Sequence, residues 1–176
     1  MTSLDSPLRT IATPGVDDLH VVPTDPSCPA ATEILHEYFT DIITRWDATT
    51  ATPAFIAEVM AGAPSDNLIG ESGIFVIAYR GDEPVGCGGM RYLDSELGEL
   101  TRIYTRSCAR GLGVAARVIG ELELRARASG RARLRLDTRE DLVEAQRLYA
   151  RLGFTPIARF NDDPFSHRWF GKELAD

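Results

Sequence analysis

The sequence predicts an α+β fold of about six to seven strands and about four helices, and three observations carry that expectation. Between Ile74 and Thr105, three strand-like runs follow one another through short turns, the pattern of an antiparallel meander. Past Arg106 the apolar spacing changes from a two-residue to a helical period, and helix and strand then alternate toward the C-terminus. With 176 residues, 44% hydrophobic and 26% charged, the chain can bury one sizeable core but is short for two ordinary domains. Residues 19–176 therefore read as a single domain.

Residues 1–18 are rich in Thr, Ser, Pro and Asp without periodicity and read as a flexible leader. Leu19 to Val22 is a short strand closed by Pro23. From Pro29 to Arg45, Ile34, Leu35, Tyr38, Phe39, Ile42 and Ile43 recur every three or four residues, which predicts an amphipathic helix. A second, shorter helix starts with Thr52 as N-cap and Pro53 at its first position, and breaks at Gly62 to Ser65. The meander strands are Ile74 to Tyr79, Pro84 to Leu93 and Glu99 to Thr105; Gly86, Gly88 and Gly89 inside the middle one predict a bulge or a close backbone approach. Ala115, Val118, Ile119 and Leu122 mark a helix ended by Ser129-Gly130, and Arg133 to Asp137 alternates as a strand. Leu142, Ala145, Leu148, Tyr149 and Leu152 line a last helix, followed by strands at Phe154 to Phe160 and His167 to Phe170.

Charge and cysteine usage narrow the partners. The 19 basic residues are outnumbered by 26 acids, a net charge of −7, which argues against a protein that neutralises nucleic-acid phosphates. The balance is uneven: residues 1–100 hold 4 basic and 16 acidic groups, residues 101–160 hold 13 and 6. A site between the halves would place an anionic ligand on the second and a cationic one on the first, although solvated helix faces give the same pattern. Cys28, Cys87 and Cys108 form no CxxC and read as free thiols, and His20, His36 and His167 lack metal-ligand spacing, so no metal is expected. Neither a basic start with an apolar run nor about 18 consecutive apolar residues occurs, so the expected address is cytoplasmic, with no membrane partner.

The segment Arg110-Gly111-Leu112-Gly113-Val114-Ala115 lies between a strand and a helix, where unpaired N–H groups and the helix dipole attract anions. Read as G-x-G-x-x-A, with Gly111, Gly113 and Ala116, it suggests a dinucleotide turn, with Asp137 as the ribose acid. Against this, the polar stretch Arg106 to Arg110 separates the turn from its strand, and a meander precedes it instead of a βαβ unit. A Walker loop is excluded because Lys172 is the only lysine.

Read as R-x-x-G-x-A, Arg110 to Ala115 resembles the pyrophosphate-binding motif of the GNAT superfamily of N-acetyltransferases. Gly98 to Thr105 resembles that family's central strand, and Ala145 to Phe154 its "A..LY..LGF" signature, at the right separation. The resemblance covers roughly nine-tenths of the chain, and it implies a mixed central sheet with two parallel strands splayed apart, Glu99 to Thr105 and Arg133 to Asp137. One departure is Leu142, where many members have Asn seven residues before the signature tyrosine.

The resemblance implies transfer of acetyl from acetyl-CoA directly to a primary amine of a small molecule or peptide, in a ternary complex and without a metal. Backbone groups of Ile103, Tyr104 and Thr105 would hold pantetheine, and the N–H groups of Arg110, Gly111, Leu112, Gly113, Val114 and Ala115 the pyrophosphate. Tyr149 stands at the family's tyrosine position and is the candidate general acid for the leaving sulfur; Glu99, four residues before Ile103 in a two-residue alternation, is the candidate base, with Glu96 second. Glu37, Asp41, Asp162 and Asp163 border the acceptor pocket in the family and would suit a cationic amine. A homodimer is compatible with this reading. Two rivals are a noncatalytic CoA-binding sensor on the same scaffold and an NAD-binding protein.

Overall fold

The computed structural model describes residues 18–174; the expected leader, Asp18 apart, lies outside them. In chain order the elements are β1 (Leu19–Pro23), α1 (Pro29–Trp46), α2 (Pro53–Gly62), β2 (Gly73–Arg80), β3 (Glu83–Tyr92), β4 (Leu97–Thr105), α3 (Val114–Ala128), β5 (Arg133–Thr138), α4 (Val143–Arg151), β6 (Thr155–Pro156) and β7 (Arg168–Glu173). The strands form one mixed seven-stranded sheet in the order β1-β2-β3-β4-β5-β7-β6, antiparallel throughout except for β4 beside β5. The α3 crossover between β4 and β5 accounts for that parallel pair, since a hairpin turn can only reverse direction.

The sheet is covered on both faces. On one, Val114, Val118, Ile119, Leu122 and Ala126 of α3 and Tyr149 of α4 pack with Met90, Leu100, Leu134, Leu136 and Phe170. On the other, Ala31, Ile34 and Leu35 of α1 pack with Leu68, Phe75, Ile77 and Cys87, and Phe39 and Ile43 meet Ile56 of α2. The helix starts follow local chemistry: Pro29 opens α1, and the Thr52 hydroxyl accepts from the Phe55 N–H at 3.3 Å. No helix among the described residues is long and apolar enough to cross a membrane.

The strand expected from Phe154 to Phe160 is shorter than its apolar pattern suggests. Only Thr155–Pro156 pairs with β7, followed by one further backbone bond from the Ile157 N–H to the Trp169 carbonyl at 3.0 Å. The chain beyond is fixed by side chains, with the Arg135 guanidinium over the Phe160 ring at 3.9 Å.

The three glycines of β3 mark a close approach. A Cβ on Gly88 would lie 2.5 Å from Val118 Cγ1 and 2.8 Å from Ile103 Cδ1; one on Gly89 would lie 2.7 Å from Leu68 Cδ1. Along this strand α3 on one face and the Leu68 loop on the other lie too close to the backbone for a side chain. Gly88→Ala is accordingly expected to lose about 1–3 kcal/mol of stability through overpacking, seen as a lower urea midpoint at unchanged slope.

Candidate functional site

Strands β4 and β5 pair at Leu97 with Arg133, Gly98 with Leu134 and Glu99 with Arg135, and nowhere beyond. Yet β4 continues to Thr105 and β5 to Thr138. The two strands therefore form a fork whose facing backbone edges lack strand partners, and such groups must find other donors and acceptors. A bulge in β4 accompanies the opening: Cys87 pairs with Tyr104 but Gly89 with Thr101, so Arg102 and Ile103 together oppose Gly88. Arg102 is the described non-glycine residue with positive φ, +57°, and its carbonyl accepts a 3.4 Å bond from the Cys87 thiol, whose pKa burial pushes up.

The bulge changes which side chains share a face. Glu99, Thr101 and Tyr104 lie on the side of α1, while Leu100 and Ile103 pack toward α3. Glu99 and Ile103 are thus on opposite faces, because the extra residue reverses the alternation that the sequence alone implied.

At the open end of β4 the chain makes a short 3-10 turn, Ser107–Ala109, and then the glycine turn. Gly111 and Gly113 have φ of 80° and 79°, a left-handed conformation that favours glycine, and nothing lies within 4 Å of where their side chains would start. Gly113 caps α3 with no side-chain bond, so the N–H groups of the first helical turn, Val114 and Ala115 included, have no intrahelical acceptor. Beside this cradle the Thr105 hydroxyl is buried without a hydrogen-bond partner. Leu112 is exposed, and Arg110 pairs with Asp41 at 3.1 Å and bonds the Thr105 carbonyl at 3.4 Å. The dinucleotide reading loses its context, since the turn follows an antiparallel meander and the 3-10 turn separates it from β4.

Tyr149 enters from the opposite prong. Its ring is 6% exposed and packs against Phe154 and Phe170, each at a centroid distance of 6.0 Å. Its hydroxyl has no hydrogen-bond partner among the described residues and is not sealed from solvent. Burial raises its pKa above the ordinary tyrosine value, with further upward contributions from Tyr38 and from the negative charge of Asp137, so the group stays a proton donor through neutral pH. Those two neighbours belong to the α1 side, so the Tyr149 hydroxyl feels charge from across the sheet.

Glu99 sits at the apex of the fork, 7% exposed, with Arg91 at 2.5 Å on one oxygen and Arg135 at 2.7 Å on the other. Protonating it would cost both ion pairs. Glu96 is at the exposed turn and pairs with Arg133 at 3.2 Å.

Helix α1 roofs the opening and is tied to both prongs. Glu33 and Glu37 pair with Arg106 at 2.9 and 2.7 Å; toward α4, Arg45 pairs with Glu144 at 2.6 Å, and Arg139 donates to the Ile42 carbonyl at 2.7 Å. Much of the charge asymmetry along the sequence is thus spent internally, Glu37 and Asp41 being held by Arg106 and Arg110. Asp162 pairs with Arg159, and Asp163 accepts from the Phe165 N–H within its own loop. Among the described residues no group of three or more His, Cys, Asp or Glu could hold a metal ion.

Three features at the fork had no sequence signal of their own. Arg102 lies 4.8 Å from the Phe39 ring and 5.7 Å from Tyr38, and donates to the Ala63 carbonyl at 2.8 Å. Tyr38 reads as plain helix core from its spacing, yet it faces Tyr104 and Arg102. Asp137, which the sequence suggested only for a ribose, accepts from Asn161 and, at 2.7 Å, from Ser166.

Compared with known proteins, residues 31–154 match the family described as Acetyltransferase (GNAT) family. The chain is 33% identical over 106 residues to the uncharacterized N-acetyltransferase YsnE of Bacillus subtilis, covering 57% of this chain and 70% of that protein. In structure it resembles an acetyltransferase from Streptococcus agalactiae, with a TM-score of 0.67 and 22% identity over 89% of this chain and 99% of that one. It also resembles a GNAT family acetyltransferase from Elizabethkingia anophelis with acetyl-CoA bound, with a TM-score of 0.61 and 17% identity over 90% and 99%.

The unpartnered Thr105 hydroxyl gives a direct test of whether the fork is built for a ligand. Thr105→Val removes an unsatisfied buried group, so the ligand-free protein is expected to unfold at the same or a higher temperature, by up to about 1 kcal/mol of stability. A clear fall in Tm would show that the hydroxyl is already satisfied.

Proposed function

Because this chain belongs to the acetyltransferase (GNAT) family, we propose that it transfers acetyl from acetyl-CoA directly to a primary amine of a small molecule or peptide. The observation that carries the reading is the fork: unpaired edges of β4 and β5 lead at one end to an uncapped glycine turn and at the other to an unpartnered tyrosine hydroxyl.

The residues present fit such a co-substrate. Amides of pantetheine suit the free edge of β4 at Ile103, Tyr104 and Thr105, where the orphaned Thr105 hydroxyl offers one more bond. The pyrophosphate suits the N–H groups from Arg110 to Ala115 at the positive end of α3. Acetyl-CoA supplies an activated thioester carbonyl; the chain positions it, and a backbone donor at the β4 bulge aimed at the carbonyl oxygen would lower the barrier by about 3 kcal/mol. Tyr149 donates a proton to the departing sulfur. We assign Glu99, expected from the sequence as base, to holding Arg91 and Arg135 where the strands part, since each of its oxygens carries a guanidinium.

The experiment is acetyl-CoA protection in a thermal melt, followed by thiol release with a panel of amines. NAD(H) protection without acetyl-CoA protection would overturn the reading, and acetyl-CoA binding without turnover would leave a sensor. Gly113→Glu places a carboxylate and a Cβ in the cradle and is expected to abolish acetyl-CoA protection while the fold is kept. Tyr149→Phe is expected to lower kcat about 100-fold or more with cofactor affinity within a few-fold of wild type. Because the Tyr149 pKa is raised, its loss of the proton should not produce a fall in kcat near pH 10; a fall there that disappears in Tyr149→Phe would show an ordinary, solvated phenol.

A further inference from the structure

If the amine arrives as an ammonium ion, something in the fork must bind it and take its proton, and Glu99 is committed to two arginines. Asp137 is two residues past Arg135, the last residue of β5 paired with β4, so it stands on the open prong. Leu134 and Leu136 turn into the α3-side core, which sends Asp137 to the α1 side, beside Trp169 of β7 in the ladder. Its Oδ2 receives both the Asn161 amide and the Ser166 hydroxyl, and Asn161 is itself oriented by the Trp169 indole N–H at 3.0 Å. No described residue donates to Oδ1, and that atom is not sealed from solvent. A half-buried carboxylate with one oxygen anchored and one open is the form of a group that meets a ligand.

The groups facing it complete the argument. Tyr38 from α1 and Tyr149 from α4 are near enough for the Asp137 charge to raise their pKa values. Arg135 on its own strand is turned to Glu99 and Phe160. Thus, among the described residues, neither neighbouring tyrosine nor any guanidinium bonds Asp137, and its charge is answered there by neutral donors, Asn161 and Ser166.

We infer that Asp137 is the residue that binds the acceptor ammonium and accepts its proton. The assignment rests on the acetyltransferase reading above and deepens it. The ammonium gives one proton to Oδ1, and the freed lone pair forms the C–N bond to the thioester carbonyl carbon. The C–S bond breaks, its electron pair leaves on sulfur, and the sulfur takes the Tyr149 proton. The second proton lost by nitrogen restores Tyr149, and the first passes from Asp137 to solvent.

The test measures thiol release from acetyl-CoA with 2-phenylethylamine, spermidine, L-lysine and kanamycin, for wild type, Asp137→Asn and Ser166→Ala, from pH 6 to pH 10. Asp137→Asn should cut kcat/KM for the amine at least 100-fold at pH 7, and the deficit should narrow toward pH 10, where far more of the amine is neutral. Calorimetric titration of the amine into the CoA complex should show at least tenfold weaker binding in Asp137→Asn, with acetyl-CoA protection unchanged. Ser166→Ala removes one of the two bonds that hold Oδ2, so the carboxylate is less firmly oriented and kcat/KM for the amine at pH 7 should fall about tenfold with acetyl-CoA protection unchanged. Asp137→Asn within threefold of wild type, a deficit that does not vary with pH, or Ser166→Ala indistinguishable from wild type would overturn this assignment alone. Wild type that binds acetyl-CoA but acetylates no amine would overturn the acetyltransferase reading, and the assignment with it.

Discussion

The hydrogen-bond ladder between β4 and β5 stops after the Glu99–Arg135 pair, and the rest of the site depends on that interruption. A parallel pair zipped to its ends would leave no backbone to offer. The bulge across from Gly88 supplies the misfit on one side, since an extra residue turns the strand and strengthens its twist. Glu99 and its two guanidiniums supply a fixed point below, so the strands part from a defined apex.

Each prong then carries a different chemical element. The β4 prong ends in two left-handed glycines and an uncapped helix, a concentration of N–H groups. The β5 prong carries Asp137 and lies against α4, which delivers Tyr149. Helix α1 spans both, and its ion pairs with Arg106 on one side and Glu144 on the other tie it to the two prongs. Acid and base segments that are distant along the chain meet at this roof, which is why the net charge of each half says little about the ligand.

The order of elements was legible in the sequence because local periodicities encode it: every helix and every sheet strand has a counterpart in the expected pattern, with Phe154 to Phe160 reduced to Thr155–Pro156. The glycine turn and the place of Tyr149 in α4 were legible through motifs, since two glycines ahead of a helix and a tyrosine at fixed spacing leave recognisable letters. The faces of β4 were not. A bulge is a property of two strands in register, and nothing in Leu97 to Thr105 announces that Gly88 will oppose two residues. For the same reason the sequence could name Glu99 without showing that Arg91, from the neighbouring strand, and Arg135, from the next, would close on it. Asp137 was hidden because its anchors, Asn161 and Ser166, arrive from a loop some 24 and 29 residues later.

Arg102 holds its left-handed backbone only with the help of its side chain, which leans on Phe39 and Tyr38 of the roof and hooks the Ala63 carbonyl just past α2. A backbone conformation that costs energy is therefore maintained from outside the sheet. The roof over the fork and the main-chain kink of β4 are bolted together by one guanidinium: whatever loosens the lintel also relaxes the spring.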